Sequence, residues 1–507
     1  MDIHFTQKIR TDRLHNTRPN DDLSVAPLSV FESDRGRIIN SAAIRRLQQK
    51  TQVFPLERNA AVRSRLTHSM EVQQVGRFIS QTIIRKLAEQ DLLKHYGLDQ
   101  HERQFESIVE MACLMHDVGN PSFGHFGEAA INQWFSEHIE KLFERNDITD
   151  SQASLNPLKS DLLNFEGNAQ ALRIVHSLQT LNLTYSQLSS IIKYTRRGDQ
   201  SKPDRDHPKA YLQKKVGFYL SEASIVNTIN QTLSTQPGNR SPFAYIMEAA
   251  DDISYCIADI EDAVEKGILK FDELLTRLKE EFAKIVKDKQ KYFKIEKTDI
   301  QKMSDLVDNS LWQYKKTGIK SDFFVQFRVA VNTLSVDYAS TQFIDHIQAI
   351  FDGHYNQALL EDGSLVHAVL DTLKAVAFKY VFCSEEVQRQ ELQGYRIIAG
   401  LLEIYLPLLQ LDRTTFEQLF QEQSKKPLYQ SRLFNKIAGR QLAAYQKAMS
   451  QLTEFKTEFA EETLGQLSDN AWELYFRCRL IQDYISGMTD QFAYDQYRAL
   501  HVIESRS

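Results

Sequence analysis

The segment "FESIVEMACLMHDVGNPSFGHFGE" (105–128) carries the most informative pattern in this chain of 507 residues. Its first part, 105–117, has the apolar pattern of a buried helix. Residues 119–121, Gly-Asn-Pro, prevent that helix from continuing. The sequence therefore predicts His116 and Asp117 at the C-terminal end of a buried helix, where both side chains can turn toward one point.

The second part of the segment is a glycine-rich turn that leads into "FGEAAINQWF". If a helix begins there, His125 and Glu128 lie one helical turn apart. Glu128 can then hydrogen-bond the imidazole and set its tautomer and basicity. We predict that His125 and Glu128 form a catalytic pair.

Two further predicted helices can bring ionisable side chains to the same place. In 66–87 the apolar residues recur at spacings of three and four, and His68 lies one turn before Val72 on that stripe, so it is expected to face inward. The helix predicted for 244–266 has an apolar face and a second, mostly acidic face, which consists of Asp251, Tyr255, Asp259 and Asp262. Acids in such a row destabilise a helix slightly unless a cation lies opposite them.

A metal ion bound by these side chains would offset the repulsion between the acids. His68, His116, Asp117 and one acid from the 244–266 helix form a set of two His and two Asp from three helices. Nitrogen and oxygen ligands without a thiolate suit a six-coordinate Mg, Mn, Co or Fe ion better than tetrahedral zinc. Open positions on such an ion admit water and substrate, so we predict a catalytic divalent-metal cofactor.

The composition favours a mostly helical protein. Only 19 Gly and 11 Pro punctuate the chain, and alternating strand-like runs are scarce, so we predict an all-α fold. A net charge of -6 argues against a surface that coats nucleic acid everywhere. The four cysteines are far apart, which argues against a disulfide framework or a thiolate zinc site.

The sequence also suggests a location and a domain organisation. The N-terminus lacks an apolar signal region, and the most apolar run, 397–411, is short for a membrane span and contains Glu403, so we expect a cytoplasmic protein with no membrane contact. The predicted parts are an N-terminal segment (1–30), a catalytic helical core (31–275) with a surface insertion near 139–165, and a helical C-terminal region (276–507). We expect the last to pack against the core and to contribute to the substrate pocket and oligomer contacts.

Five strings occur in order between residues 65 and 255: "RLTHSMEV", "HDVGNPSFGHFGE", "NFEGNAQ", "KYT" and "MEAADDISY". A lone His, an HD pair and a later Asp resemble the HD superfamily of metal-dependent phosphohydrolases, and the five strings together resemble the bacterial dGTP triphosphohydrolases. This resemblance implies hydrolysis of dGTP to deoxyguanosine and inorganic tripolyphosphate, with metal-activated water attacking the α-phosphate. It also implies that Asp251 completes the metal set.

The resemblance further implies a substrate site. Its phosphate contacts are Arg65 and Lys193, with Asn168 and Tyr194 nearby. A triphosphate brings about four negative charges, which one divalent ion cannot neutralise, so cationic side chains must converge on the metal.

The sugar and base would lie further along the same site. Gln52 and Asp259 are implied as partners of the 3′-hydroxyl, and Tyr255 as the ring under C2′ that excludes a ribonucleotide by a few kcal/mol. Shorter matches imply contacts to the base and phosphate ends from Val53, Phe382, Glu391 and Arg432.

Two other functions stay open from the residues alone. One is an HD-type nucleotidase or phosphodiesterase that acts on another nucleotide. The other is a nucleic-acid-binding regulatory protein with a nucleotide pocket, suggested by the basic loop 194–215 and the Lys-rich segment 279–302. Single-stranded DNA as a regulator is also compatible with catalysis, and the family resemblance implies a homo-oligomer such as a hexamer.

Overall fold

The computed structural model describes residues 3–15, 27–145, 148–288, 292, 295, 297–421 and 427–501. Parts of the predicted N-terminal segment 1–30 and of the Lys-rich segment 279–302 therefore lie outside the described residues.

The regular secondary structure of the described part of the chain is almost entirely helical, which confirms the predicted all-α class. The helices of the first half are α1 (Pro27–Ile39), α2 (Ala42–Leu47), α3 (Arg65–Glu89), α4 (Glu102–Met115), α5 (Gly124–Arg145), α6 (Gln152–Leu163), α7 (Gly167–Arg173), α8 (Tyr185–Ser190), α9 (Ala223–Thr232) and α10 (Pro242–Glu265). Those of the second half are α11 (Phe271–Asp288), α12 (Lys302–Thr317), α13 (Lys320–Asp345), α14 (Ile347–Asp352), α15 (Leu365–Ala377), α16 (Glu385–Leu409), α17 (Arg413–Gln418), α18 (Leu428–Phe434), α19 (Gly439–Ser450), α20 (Leu452–Glu458), α21 (Asp469–Ser486) and α22 (Asp490–Leu500).

Two short strands interrupt the helical pattern. β1 (Arg196–Arg197) and β2 (Val216–Phe218) pair in parallel and enclose most of the loop that the sequence suggested to be basic. Single π-helical turns extend α7 over Ile174–Leu178 and α15 over Phe378–Phe382.

Helices α3, α4 and α10 pack against one another and form the centre of the molecule. α3 begins at Arg65 because the Ser64 hydroxyl caps its first turn in a capping box with Thr67. α4 ends at Met115 with His116 as its C-cap, as the sequence predicted. The inward orientation of His68 is also as expected, because its side chain is fully buried beside Val72.

The molecule has two large hydrophobic cores. The first surrounds α3, α4 and α10 and includes residues of α12, α13 and α15, so it does not end at the predicted boundary near 275. The second joins α5 and α6 to α16 and α21, which packs the C-terminal region against the catalytic helices.

Residues 139–165 differ from the expected surface insertion. Most of them belong to α5 and α6, and Ile139, Leu142, Leu155 and Leu158 are buried in the second core. Their apolar side chains recur at helical spacing among charged ones, so a polar average composition conceals a buried stripe.

Among the described residues, α16 alone has the length and apolar composition of a membrane span. Its apolar face is used inside the protein, because Ile398, Leu401, Leu402 and Tyr405 are fully buried in the second core. We therefore interpret α16 as a core helix.

The turn after α4 crosses the start of α7 at van der Waals distance. A Cβ atom on Gly119 would lie 1.9 Å from the Gly167 carbonyl oxygen and 2.3 Å from the Ala171 nitrogen. Both are backbone atoms, so a side chain at 119 must push the turn away from α7.

Gly119→Ala is expected to destabilise the protein by about 1–3 kcal/mol or more, through overpacking. The free energy of unfolding from urea titration measures the effect. Gly36→Ala in α1 is the matched control, since a Cβ there meets no atom within 4 Å and should be neutral or slightly stabilising. Equal stability of the two variants would contradict this close approach.

Candidate active site

Three of the four predicted metal ligands converge. One ligand atom from each of His68, His116 and Asp251 can be chosen so that all lie within 4.8 Å of one another. The Asp251 Oδ1 atom lies 3.4 Å from His68 Nε2 and 3.5 Å from His116 Nε2. These side chains come from α3, the end of α4 and α10, so the packing of the central helices brings them together.

Both imidazoles are oriented for ligation through Nε2. His116 Nδ1 lies 2.7 Å from the Cys113 carbonyl oxygen, which favours a proton on Nδ1 and leaves Nε2 free to bind a cation. His68 is fully buried, and its Nδ1 has no hydrogen-bond partner among the described residues. Two such nitrogens and a carboxylate fit a divalent cation, and the site is suited to holding one.

Asp117 lies beside this cluster but is held by other side chains. Its Oδ1 is 3.6 Å from His116 Nε2 and accepts a hydrogen bond from Asn120, while its Oδ2 accepts one of 2.8 Å from Arg65 Nη1. Burial opposes ionisation of Asp117, but Arg65 and the two imidazoles outweigh it and hold its pKa below the usual range. Asp117 as a metal ligand stays a prediction.

The surroundings of Asp251 favour its ionised form. Burial alone would raise its pKa, but His116, His68 and Lys193 lower it well below the usual range. Lys193 Nζ lies 3.9 Å from Asp251 Oδ2 and 3.6 Å from Glu248 Oε1. These acids outweigh the effect of burial on Lys193 and keep its pKa above the usual value. Asp251 and Lys193 thus favour each other's charged forms.

His125 and Glu128 form the predicted pair. α5 begins at Gly124, and His125 Nδ1 lies 3.1 Å from Glu128 Oε2. The His125 ring is exposed to the cavity, with 83% of its side chain accessible, whereas Glu128 is 11% accessible. Glu128 is anchored from behind, since its Oε1 accepts a hydrogen bond of 2.8 Å from the Gly167 backbone N–H. A fixed acid therefore orients an accessible imidazole.

The pH dependence of turnover tests this pair. The hydrogen bond that His125 donates to Glu128 raises the pKa of His125 against the smaller opposing effect of burial. Glu128→Gln removes the negative charge, so we expect the limb of the kcat/KM profile that reports His125 to move to lower pH. The direction is the same whether His125 acts as acid or base, because each role titrates at the same pKa. A limb that stays in place would contradict the coupling.

One cavity of about 490 Å³ joins these groups to the predicted substrate site. The sequence predicted three metal ligands besides His68, and eleven substrate contacts. Thirteen of these fourteen residues line the cavity: Gln52, Val53, Arg65, His116, Asp117, Asn168, Lys193, Tyr194, Asp251, Tyr255, Asp259, Phe382 and Glu391. His125 also lines it, while His68 and Glu128 support lining residues from behind.

Arg432 is the exception among the predicted contacts. It lies on α18, is exposed to solvent, and is not part of this cavity wall in the described chain. The short match "SRLF" placed it at the substrate without any constraint from neighbouring motifs.

Gln52 and Asp259, at the predicted sugar end of the cavity, have unsatisfied polar atoms. Both carboxylate oxygens of Asp259 and the Gln52 amide oxygen are buried and have no hydrogen-bond partner among the described residues. Burial raises the pKa of Asp259 to about 8, with His68 opposing this and Asp262 adding to it. Unpaired buried polar atoms are costly, so a polar ligand group that pairs with them is favoured.

Sequence reasoning missed several charged residues of the wall. Lys215 forms an ion pair of 3.1 Å with Glu166, and Glu248 is held by Arg240 and Tyr211 at 2.7 Å each. The "NFEGNAQ" string contains Glu166, and Glu248 lies three residues before Asp251, so proximity to motifs was the available signal. Asp252 pairs with Lys374 at 3.1 Å and also reaches the wall.

Comparison with known proteins relates the chain to HD-domain phosphohydrolases. Residues 65–163 match the model of the HD domain, and residues 425–499 match that of the phosphohydrolase-associated domain. The chain is 48% identical, over 511 residues and 99% of both proteins, to a Pseudomonas aeruginosa protein named as a probable deoxyguanosinetriphosphate triphosphohydrolase. The resemblance predicted from the five strings is thereby confirmed. This chain belongs to the deoxyguanosinetriphosphate triphosphohydrolase family of HD-domain phosphohydrolases.

Proposed function

We propose that the protein hydrolyses dGTP to deoxyguanosine and inorganic tripolyphosphate. Water attacks the α-phosphorus, the bond from phosphorus to the 5′-oxygen breaks, and that oxygen leaves with a proton. The observation that carries the proposal is a single cavity that contains a metal-ligand cluster, cationic side chains, and unsatisfied polar atoms suited to a sugar hydroxyl.

The phosphate end of the substrate is assigned to the metal side of the cavity. Arg65 and Lys193 both line it, and the buried Arg65 Nε has no partner among the described residues. Charge-assisted hydrogen bonds from such groups are strong in a water-poor site. A divalent cation held by His68, His116 and Asp251, with Asp117 as the predicted fourth ligand, would lower the pKa of water and offset phosphate charge.

The sugar is assigned to the region around Gln52, Tyr255 and Asp259. Pairing of the 3′-hydroxyl with Gln52 and Asp259 would satisfy the atoms that lack partners. Packing of C2′ on the Tyr255 ring would leave no room for a 2′-hydroxyl, which is typically worth a few kcal/mol of discrimination. Val53, Phe382 and Glu391, at the same cavity, are assigned to the base.

His125 is assigned to proton transfer at the reacting centre. Its exposed ring and buried Glu128 anchor suit either removal of a proton from the water or donation of one to the departing 5′-oxygen. Asn168 and Tyr194 line the same cavity as Lys193 and are assigned to positioning the phosphates.

Product identification tests the function. Phosphorus NMR of a reaction in water enriched with oxygen-18 should show tripolyphosphate as the first product, with the label on its terminal phosphorus and none in deoxyguanosine. Initial orthophosphate or deoxyguanosine monophosphate would favour another nucleotidase activity. An absence of turnover with any of Mg²⁺, Mn²⁺, Co²⁺ or Fe²⁺ would favour the nucleic-acid-binding function.

We further propose a cytoplasmic homo-oligomer that single-stranded DNA can regulate, on the family resemblance and the basic loop 194–215. Light scattering measures the oligomer. A DNA effect on turnover that weakens with salt would support the electrostatic contact, and an effect independent of salt would contradict it.

A further inference from the structure

In the phosphohydrolase-associated region, 425–499, the carboxylate of Asp490 contacts two loops of the active site. We propose that Asp490 is a positioning residue that fixes the segment 51–53 relative to the turn 117–124. It thereby aligns the sugar-binding Gln52 with the phosphate-side residues, including His125. This inference rests on the proposed function, because those two loops carry its residues.

Asp490 joins the two loops directly. Its Oδ2 accepts hydrogen bonds from the Thr51 backbone N–H at 2.9 Å and the Thr51 hydroxyl at 2.7 Å. Its Oδ1 accepts one from the Phe123 backbone N–H at 3.1 Å. Asp490 is 2% exposed, so water does not compete for these bonds.

The carboxylate does not provide the N-cap hydrogen bond of its own helix. Asp490 is the first residue of α22, but the hydroxyl of Thr489 caps that helix by accepting from the Phe492 N–H. Its three hydrogen bonds all go to the active-site loops instead. A local helix-capping role therefore does not explain an acid at this position.

A buried lysine reinforces the same junction. Lys50 Nζ donates to the Asn120 carbonyl oxygen at 2.6 Å and to the Ser486 carbonyl oxygen at 3.2 Å. The Lys50 carbonyl oxygen in turn accepts from the Arg65 N–H at 2.8 Å. The junction thus connects the end of α21, both loops and the start of α3, where Arg65 and His68 lie.

The turn requires such support because its backbone is strained. Phe123 has φ 61° and Gly124 has φ 55°, and the left-handed conformation is costly for phenylalanine. The ring of Phe123 packs against Gly394 of α16, where an added Cβ would lie 2.5 Å from it. His125 follows immediately, so any relaxation of Phe123 moves the imidazole.

Asp490→Asn and Asp490→Ala test the proposal in the full-length protein. Amide hydrogen exchange at Thr51 and Phe123 should accelerate in both variants, more in the alanine one. A displacement of a catalytic group by about 1 Å can lower the reaction rate by about 100-fold. We therefore expect kcat for dGTP to fall by about 10- to 100-fold, with a smaller change in KM. The preference for dGTP over 2′,3′-dideoxyGTP should also shrink, since it reports the alignment of Gln52.

Glu473→Gln is the matched control. Glu473 is 1% exposed in α21 and is held by Arg477 and Tyr445, away from the cavity. This variant should lower the melting temperature without changing kcat or the sugar preference. If the Asp490 variants do not fold, Thr51→Val removes one donor to the same carboxylate and should give a smaller loss of the same kind.

Wild-type kcat and sugar preference in the folded Asp490→Asn protein would overturn the proposal, even with faster amide exchange. The proposal would also be overturned if Asp490→Asn and Glu473→Gln changed kcat and the sugar preference by the same amount. Failure of the wild type to release tripolyphosphate from dGTP would instead refute the proposed function, and the exchange measurement would still report whether Asp490 holds both loops.

Discussion

Asp251→Asn is expected to eliminate tight divalent-metal binding and to lower kcat/KM for dGTP by about 1000-fold or more. Asp251 supplies the carboxylate of the three-residue cluster, and its Oδ1 faces both imidazole nitrogens. An uncharged amide is a weaker ligand for a hard cation, and the loss of metal assistance costs several kcal/mol at the transition state. Calorimetric titration with Mn²⁺ and steady-state kinetics measure the two effects.

Asp252→Asn is the control for Asp251→Asn, because it removes the adjacent acid of the same helix. Asp252 pairs with Lys374 and is not a member of the ligand cluster. We expect this variant to keep one equivalent of bound Mn²⁺. Wild-type Mn²⁺ affinity in Asp251→Asn, with a native circular dichroism spectrum, would show that the metal site is wrongly placed.

His125→Ala is expected to lower kcat by about 100- to 10 000-fold, the usual range for loss of a general acid or base. Metal binding should be retained, because His125 is not in the ligand cluster. Its ring is largely exposed, so its removal should change the free energy of unfolding little. On one preparation, steady-state kinetics measure kcat, titration with Mn²⁺ measures metal binding, and urea denaturation measures the free energy of unfolding.

His138→Ala provides a matched histidine on the same helix. His138 lies further along α5, stacked on Trp134 with ring centroids 4.2 Å apart, and belongs to no part of the described cavity wall. It should keep the wild-type kcat. A loss of metal from His125→Ala, or an unchanged kcat, would remove His125 from its proposed role.

Local sequence patterns predicted the parts of the site that follow from helix periodicity. The stripe containing Val72 predicted that His68 faces inward, and the glycine-rich turn predicted the end of α4 at His116. The separation of one turn between His125 and Glu128 follows from the start of α5. In each case one helix and its cap determine the direction of the side chain.

Other features depend on contacts between distant segments, which local patterns do not specify. Asp490 reaches Thr51 and Phe123 across more than half of the chain, and no periodicity in 490–500 indicates that contact. The ion pair of Asp117 with Arg65 depends on how the ends of α3 and α4 meet. The burial of 139–165 likewise depends on the C-terminal helices that cover it.

Anomalous diffraction from crystals grown with Mn²⁺ and a non-hydrolysable dGTP analogue would locate the cation and the phosphates relative to His68, His116 and Asp251. We predict one strong peak at about 2.0–2.3 Å from Nε2 of His68, Nε2 of His116 and a carboxylate oxygen of Asp251, with the analogue phosphates beside it. A peak elsewhere would contradict the proposed metal site, and an analogue bound outside this cavity would contradict the proposed substrate site.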